Sequence, residues 1–364
     1  MSLQPRSAVT KIKTAEHGGY NYSELRAIGV LPEEVLDFSV SLSPLGAPQG
    51  VCPTVKGSKV ALYPDSGSST LKRCLSKKLG VGPKNLLVGN GSTEIIRLAA
   101  LTYLDSEDKA LIIEPTYAEY EASCAITGVS VMKLTMQQNS NGFKYDLHAI
   151  IAAIEEHKPK AIFICNPNNP TGNYISRDQF EQIASAATDS LIVLDEAYVS
   201  FVNDAWNAIE ILDKYNLLIV RSMTKDYALA GLRVGYGIAN EQIIDAMQRV
   251  CPPWNVNMVA QHAAVLALQQ NGHIEKSREM AYKNKSFLTA ELSAMGFECM
   301  PSDANFFLID VKDASQFKGK LLAKKILVRD CTSFGLPNYI RIAPKSIKKC
   351  KRLIEAIREL KDES

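Results

Sequence analysis

The sequence lacks the features that would assign it to a membrane, a metal or a nucleic acid. No apolar run approaches the ~20 residues of a membrane-spanning helix, and the first residues lack the apolar segment of a signal peptide. The eight cysteines form no Cys-x-x-Cys pair, which argues against a zinc site and against a disulfide framework. The formal charge of +2 gives no basis for nucleic-acid binding. We therefore expect a soluble cytoplasmic protein without a membrane, metal or nucleic-acid partner.

Internal repeats and low-complexity segments are also missing, so neither a solenoid nor a long disordered tail is expected. What the chain does contain is apolar material for a large core. Its 364 residues, 46% of them hydrophobic, exceed what one core usually supports, and two domains are expected. Strand and helix signals alternate between residues 109 and 198, with buried strands predicted at 161–165 and 190–194. This alternation predicts an α/β fold with a mostly parallel sheet flanked by helices.

One lysine stands where open α/β sheets bind ligands. Lys225 follows the apolar run 217–220, a predicted strand, and so lies beyond that strand's carboxyl end. Ser222 and Thr224 flank it, and Arg233 follows. An amine that can form a Schiff base therefore stands among groups suited to a phosphate dianion. The pattern indicates a site for pyridoxal 5'-phosphate (PLP).

A second phosphate-binding feature precedes a predicted helix. The segment 85–89 indicates a short strand, followed by a glycine turn and a helix that begins with hydroxyl and acidic residues. Free amides at a helix start hold anions, so Gly91, Ser92 and Thr93 are candidates for the cofactor phosphate, with an ordinary helix cap as the alternative.

Further strand ends carry residues that suit the cofactor ring. Asp195 follows a buried strand, and a carboxylate there can keep the pyridine nitrogen protonated, which PLP requires as an electron sink. The phenol of Tyr198 and the amide of Asn169 can hydrogen-bond the 3-hydroxyl of the cofactor. Tyr117 can stack on its ring.

The order of seven short segments resembles fold-type I PLP enzymes of the class I/II aminotransferase group. These segments are Tyr63-Pro64-Asp65, Gly89 to Glu94, Pro115-Thr116-Tyr117, Asn168 to Gly172, Asp195 to Tyr198, Thr224-Lys225 with Gly231-Leu232-Arg233, and Tyr339-Ile340-Arg341. The resemblance runs over nearly the whole chain. It implies the aspartate aminotransferase-like fold, a mostly parallel sheet flanked by helices plus a smaller α+β domain. The implied units are an amino-terminal arm that forms part of the small domain (1–45), a large PLP-binding domain (46–270) and a small carboxyl-terminal domain (271–364).

The same resemblance implies roles for the residues already named. Lys225, Asp195 and Tyr198 would be catalytic, with Lys225 forming the Schiff base. The cofactor phosphate would be held by Ser222, Thr224, Arg233 and the amides of Ser92 and Thr93. A homodimer is implied, in which Tyr63 reaches the cofactor phosphate of the neighbouring subunit.

Two subfamilies within this group remain in competition. The segments 17–19, 36–39 and 329–336 are similar to L-threonine O-3-phosphate decarboxylases of cobalamin synthesis, which favours that activity. The alternative is a histidinol-phosphate aminotransferase of histidine biosynthesis. Both subfamilies tend to carry asparagines where this chain has Ser41 and Ser43. A remote alternative is the non-catalytic PLP-binding module of transcription regulators, which is joined to a DNA-binding domain.

Substrate binding is expected to depend on His17, Arg329 and Arg341. A planar guanidinium matches the oxygen pairs of a carboxylate or a phosphate, so the two arginines are the expected anion ligands of a small phosphorylated substrate. The bond at Cα that stands perpendicular to the cofactor ring is the one that breaks. If Arg341 binds the α-carboxylate in the ring plane, transamination follows. If the arginines and His17 bind the phosphate instead, the carboxylate can leave as carbon dioxide.

Overall fold

A seven-stranded sheet forms the centre of the computed structural model, which describes residues 3–10, 12, 15–51, 61–139 and 142–362. The first residues of the predicted amino-terminal arm (1–45) and the last residues of the predicted small domain (271–364) therefore lie outside the described residues. The strands are β1 (Leu36–Asp37), β2 (Leu86–Gly89), β3 (Lys109–Glu114), β4 (Ser130–Thr135), β5 (Gln137–Asn139), β6 (Gly142–Lys144), β7 (Ala161–Cys165), β8 (Leu191–Asp195), β9 (Leu217–Ser222), β10 (Gly235–Ile238), β11 (Phe307–Asp310), β12 (Ile326–Leu327), β13 (Arg329–Asp330) and β14 (Tyr339–Ile342).

The large sheet has the strand order β2-β10-β9-β8-β7-β3-β4. β10 runs antiparallel to both of its neighbours, and the remaining pairs are parallel. The prediction of a mostly parallel sheet is therefore confirmed. In the register of this sheet Cys165 pairs with Asp195, and Asp195 pairs with Val220. The carboxyl ends of β7, β8 and β9 thus meet at one edge, which brings together the segments that follow them.

Helices cover both faces of this sheet and complete the smaller part of the fold. They are α1 (Ser7–Thr10), α2 (Tyr22–Ala27), α3 (Ser69–Leu79), α4 (Ser92–Tyr103), α5 (Glu119–Thr127), α6 (Leu147–His157), α7 (Arg177–Ala186), α8 (Met223–Asp226), α9 (Glu241–Val250), α10 (Met258–Leu268), α11 (His273–Ala294), α12 (Ala314–Ala323) and α13 (Ile347–Asp362). No helix in the described part of the chain has both the length and the apolar character needed to cross a bilayer.

Alternate side chains of the central strands enter two different hydrophobic clusters. On β7, Ile162 and Ile164 belong to one cluster, whereas Ala161 and Phe163 belong to the other. The strand is therefore buried on both faces, as is typical of parallel sheets between helix layers. This explains why β7, β8 and β9 appear in the sequence as continuous apolar runs.

The smaller part of the fold contains a three-stranded antiparallel sheet, β11-β14-β13. Its core includes side chains from α11 and α13 as well as Phe38 from the amino-terminal segment. That segment is fixed by β1, which pairs in parallel with β12 through Leu36 and Ile326. The beginning of the chain thus lies beside its carboxyl-terminal third.

Alternation of apolar and polar residues from Val35 predicts a strand that stops at the Pro-Leu-Gly turn of residues 44–46, and this prediction was wrong. Only Leu36 and Asp37 pair as a strand. Asp37 ends it, because its Oδ1 accepts hydrogen bonds from the backbone N–H and the hydroxyl of Ser39, at 2.7 and 2.6 Å. Such a local turn diverts the backbone from the sheet. The segment then runs along a cavity.

Candidate functional site

A cavity of about 890 Å³ lies at the carboxyl ends of β7, β8 and β9. The amino-terminal segments 16–20 and 37–42 also line it, as does the start of α4. The structure brings together most of the residues predicted for the site. Those that line the cavity are His17, Ser92, Thr93, Tyr117, Asn169, Asp195, Tyr198, Thr224, Lys225, Arg233, Arg329 and Arg341.

Three predicted residues are not among the described lining residues. Gly91 directly precedes α4 with a φ of +78°, and a Cβ there would lie 2.6 Å from Nη2 of Arg233. Ser222 is buried at the end of β9. Tyr63 is 77% exposed, and its ring stacks on Trp254 with 4.3 Å between centroids. Within one chain, Tyr63 therefore stands apart from the cavity.

Lys225 lies on the short helix α8, directly after β9. Its Nζ lies 5.6 Å from the ring centroid of Tyr198, inside the cavity. Burial lowers the pKa of Lys225 to about 8, and the positive charges of Arg341 and Arg233 act in the same direction. A lysine amine with a lowered pKa is more often unprotonated near neutral pH, as a nucleophile or a proton acceptor must be.

Asp195 ends β8 and is almost fully buried. Burial raises its pKa to about 6, although hydrogen bonds to both carboxylate oxygens oppose this effect. The hydroxyl of Tyr120 donates to Oδ2 at 2.8 Å, and the backbone N–H of Ala197 donates to Oδ1 at 2.9 Å. The carboxylate is therefore held in one orientation beside the cavity.

The two predicted substrate arginines are neighbours in the small sheet, because Arg329 on β13 pairs in register with Arg341 on β14. Arg341 is buried, and its guanidinium lies 4.9 Å from the ring centroid of Phe306. It donates from Nη1 to Oδ1 of Asn169 and from Nη2 to the carbonyl oxygen of Ser39, the latter at 2.8 Å. Its buried Nε has no hydrogen-bond partner among the described residues.

Arg329 holds the amino-terminal segment. Its Nη2 donates to the carbonyl oxygen of Glu16 at 2.9 Å and to the hydroxyl of Ser333 at 2.7 Å. Burial lowers the pKa of Arg329, and the nearby charge of Arg341 lowers it further. Two buried cations at one end of the cavity leave a positive potential there, which favours an anionic ligand.

A carboxylate that the sequence analysis did not identify also faces the cavity. Glu119 accepts hydrogen bonds from Arg97, at 3.0 Å to Oε2, and lies 3.1 Å from Nε2 of His17 through Oε1. The hydrogen bond with His17 and the charge of Arg97 hold the pKa of Glu119 below its usual value despite burial. The cluster of Arg97, Glu119 and His17 joins α4, α5 and the amino-terminal segment.

The family model for class I and II aminotransferases matches residues 36–357. The chain belongs to this family. It is 35% identical over 363 residues to histidinol-phosphate aminotransferase of Moorella thermoacetica, covering 98% of this chain and 92% of that protein. Membership confirms the prediction of a PLP-dependent enzyme.

Solved structures confirm the predicted aspartate aminotransferase-like fold. The histidinol-phosphate aminotransferase of Clostridium acetobutylicum is 30% identical with a TM-score of 0.83, over 91% of this chain and all of that one. L-threonine-O-3-phosphate decarboxylase of Porphyromonas gingivalis is 26% identical with a TM-score of 0.76, over 89% of this chain and 99% of that one.

Three residues that the sequence analysis missed, Tyr120, Glu119 and Arg97, had weak signals or none. Tyr120 contacts the site through Asp195 and lies on α5, whereas Tyr117 precedes that helix, so the spacing of the two tyrosines carries no helical pattern. Glu119 and Arg97 gave no signal, since their partner His17 lies 102 positions before Glu119. Of the two serines that depart from the subfamily patterns, Ser41 lines the cavity, whereas the hydroxyl of Ser43 is hydrogen-bonded to Ser277 at 2.7 Å.

Proposed function

We propose that the chain is a PLP-dependent aminotransferase that moves the amino group of a phosphorylated amine, of the histidinol phosphate kind, to a 2-oxo acid. The proposal is supported by the buried amine of Lys225, which shares a cavity with two buried arginines. The relatives named histidinol-phosphate aminotransferase cover nearly the whole chain. They favour this activity over the decarboxylation that the sequence pattern favoured.

The residues at the strand ends fit PLP. The start of α4 and the guanidinium of Arg233 approach so closely that Gly91 has no room for a side chain, which leaves a cradle of donors for a phosphate. Thr224 adds a hydroxyl to the same cavity. Lys225 would bind the cofactor covalently, through the aldehyde carbon of PLP. Asp195 would face the pyridine nitrogen, and Tyr198 and Asn169 the 3-hydroxyl.

When bound, PLP supplies an electron sink for the negative charge that develops at the substrate Cα. Lys225 would be the group that removes the Cα proton and returns it, because its lowered pKa allows both protonation states near neutral pH. Asp195 would keep a proton at the pyridine nitrogen, since its carboxylate is fixed by two hydrogen bonds. Tyr117 would cover the ring, and it is oriented by a hydrogen bond between its hydroxyl and that of Thr93, at 3.1 Å.

Arg341 would bind the anionic end of each substrate. Both the phosphorylated amine and the 2-oxo acid carry an anion, so one arginine can serve both halves of a transamination. The unpaired Nε of Arg341 leaves a buried donor for that anion. Arg329 and His17 would complete the binding of the phosphate.

Decarboxylation of O-phosphothreonine is the second candidate. His17 lies on the cavity wall, and the early His-Gly-Gly segment that contains it favours this reaction. The Porphyromonas gingivalis decarboxylase is a structural neighbour at 26% identity. In this case the cations would bind the phosphate and leave the carboxylate free to stand perpendicular to the ring.

Two parallel reactions distinguish the candidates. Purified protein with PLP, histidinol phosphate and 2-oxoglutarate should form glutamate, and Lys225→Ala should not. A second reaction contains O-phosphothreonine alone, and carbon dioxide is assayed. Carbon dioxide without glutamate would replace the aminotransferase proposal with the decarboxylase proposal. No product in either reaction would reject both substrates.

We also propose a homodimer with shared active sites. The exposed, stacked rings of Tyr63 and Trp254 form an apolar surface suited to an interface. Tyr63 would reach the phosphate of the cofactor in the neighbouring subunit. Sedimentation should give a dimer, and Tyr63→Phe should weaken PLP binding without removing its covalent attachment. A fully active monomer would overturn this proposal.

A further inference from the structure

Tyr120 is a fully buried tyrosine whose hydroxyl lies beside the carboxylate of Asp195 and the thiol of Cys165. It donates to Oδ2 of Asp195 at 2.8 Å. Its ring stacks on Phe163, with centroids 5.5 Å apart, and meets Tyr117 edge to face at 5.6 Å. The ring therefore has no freedom to swing away, and the position of the hydroxyl is set by the core.

The hydrogen bond has a defined direction. Burial and the charge of Asp195 raise the pKa of Tyr120, so its phenol stays protonated and is the donor. An ionised carboxylate only accepts hydrogen bonds. With Tyr120 on Oδ2 and the N–H of Ala197 on Oδ1, each oxygen of Asp195 has one fixed protein donor. Asp195 also lines the cavity, and its carboxylate has capacity to accept a further hydrogen bond.

We propose that Tyr120 is a positioning residue for the reaction, which keeps Asp195 ionised and oriented to receive the N–H of the PLP ring. This inference rests on the proposed function, since it requires PLP in the cavity with its ring nitrogen at Asp195. Tyr120 itself does not touch the reacting atoms. Its effect passes through the carboxylate that it holds.

The other titratable groups around Asp195 do not replace this hydrogen bond. Lys225 favours the ionised form by its charge, while Glu196 disfavours it. Glu196 is in turn paired with Arg221 at 2.8 Å. The thiol of Cys165 and the phenols of Tyr117 and Tyr198 are neutral at neutral pH, because burial raises the pKa of each. Without Tyr120, Asp195 keeps one fixed donor in a buried environment.

The test compares Tyr120→Phe with Tyr145→Phe, both as PLP-bound protein. Tyr145 is a matched control, because its hydroxyl donates to the carbonyl oxygen of Cys165 at 3.0 Å and does not touch Asp195. PLP labelled with ¹⁵N in the ring reports protonation of that nitrogen by NMR, and Asp195→Asn supplies the unprotonated reference. We expect Tyr120→Phe to move the resonance towards that reference and to lower kcat about 10- to 100-fold, the effect of losing a hydrogen bond to a charged group. Tyr145→Phe should change neither the ring-nitrogen resonance nor kcat.

A double-mutant comparison keeps the inference testable even if Tyr120→Phe is less stable. In the Asp195→Asn background the substitution at Tyr120 should have no further effect on the ring nitrogen. A Tyr120→Phe resonance identical to that of the unsubstituted protein would overturn the inference. By contrast, a resonance that Asp195→Asn leaves unchanged would overturn the role of Asp195 in the proposed function.

Discussion

Arg341 and Asn169 are joined by a hydrogen bond from Nη1 of the guanidinium to Oδ1 of the amide. Arg341 belongs to β14 of the small sheet, whereas Asn169 lies in the loop that follows β7 of the large sheet. The bond therefore connects the two sheets across the cavity. A residue proposed for the substrate anion thus holds one proposed for the cofactor, and a change at Arg341 should affect both.

For Arg341→Ala we expect a large fall in kcat/KM for histidinol phosphate. Loss of a buried charged contact costs about 2–5 kcal/mol, because the partner charge stays unpaired. Arg341→Lys should restore little of the loss, since an ammonium cannot reproduce a planar fork of donors. Steady-state kinetics measures both, with Arg352→Ala on the exposed face of α13 as the control. Unchanged kcat/KM in Arg341→Ala would exclude it from substrate binding.

A methyl group at Gly235 should weaken PLP binding. A Cβ at this position would lie 2.5 Å from the backbone nitrogen of Ser92 and 2.9 Å from the carbonyl carbon of Gly91. These are backbone atoms, so the start of α4 must move, together with the amides proposed to hold the phosphate. We expect Gly235→Ala to raise the Kd for PLP at least about tenfold, corresponding to about 1.4 kcal/mol.

Gly231→Ala is the matched control for this prediction, because a Cβ at Gly231 has no atom within 4 Å. Both substitutions add one methyl group, at the first residue of β10 and at a position four residues before it. Fluorescence titration with PLP gives the two dissociation constants. Equal affinity in the two variants would mean that the start of α4 does not hold the phosphate.

The strand-end residues could be predicted from the sequence because their positions follow from local patterns. Continuous apolar runs mark β7, β8 and β9, and the residues after them must lie at one edge of a parallel sheet. This is why Asp195 and Lys225 were found together. Nothing in that inference depended on contacts between distant segments.

Contacts between distant segments account for what was missed. Glu119 reaches the cavity wall as a partner of His17 only because the amino-terminal segment is held against it by Arg329. A helix with an acidic first turn is ordinary in sequence, since acidic residues stabilise the helix dipole there. The length of β1 was overestimated for a related reason. Alternation of apolar and polar residues does not reveal that Asp37 turns the backbone by accepting a hydrogen bond from Ser39.

Replacement of Asp226 by asparagine should make stability less dependent on pH. Burial raises the pKa of Asp226 from 3.8 to about 7. Between these values the folded state keeps a proton that the unfolded state loses, so the free energy of unfolding falls as pH rises. Asparagine does not titrate, and its Oδ1 can still accept from the N–H of Tyr227. Its NH2 group takes the place of Oδ2 and can donate to the hydroxyl of Ser200, which donates to Asp226 in the unsubstituted protein. We expect equal stability near pH 4 and a gain of up to about 4 kcal/mol at pH 8 in the variant.

Urea unfolding of the cofactor-free proteins between pH 4 and pH 8 measures this difference. Asp213→Asn is the control, because Asp213 is exposed. Its difference from the unsubstituted protein gives, at each pH, the effect of replacing an exposed carboxyl group. A constant difference for Asp226→Asn would show that the buried carboxyl does not titrate in this range.

The last prediction concerns the contact between His17 and Glu119, which fixes the amino-terminal segment at the cavity. If His17 contacts the substrate phosphate, His17→Ala should raise KM for histidinol phosphate and leave KM for unphosphorylated histidinol unchanged. Glu119→Gln keeps the shape of the side chain but removes its charge, so it should weaken the hold on His17 and produce the same selective effect at smaller size. A partly exposed ion pair contributes up to about 1 kcal/mol, which corresponds to about a fivefold change in KM.

Glu121→Gln tests whether the effect belongs to the cavity rather than to helix α5. Glu121 lies on the same helix two residues later and pairs with Lys133 at the surface, at 2.8 Å. Glu121→Gln should leave KM unchanged for both histidinol and histidinol phosphate. An equal rise in KM for histidinol and histidinol phosphate in His17→Ala would mean that His17 shapes the cavity without contacting the phosphate. A rise in KM for histidinol phosphate alone would instead show that the amino-terminal segment helps to select the substrate. His17 would be the residue responsible, because it is the only described residue of that segment that brings an imidazole to the cavity wall.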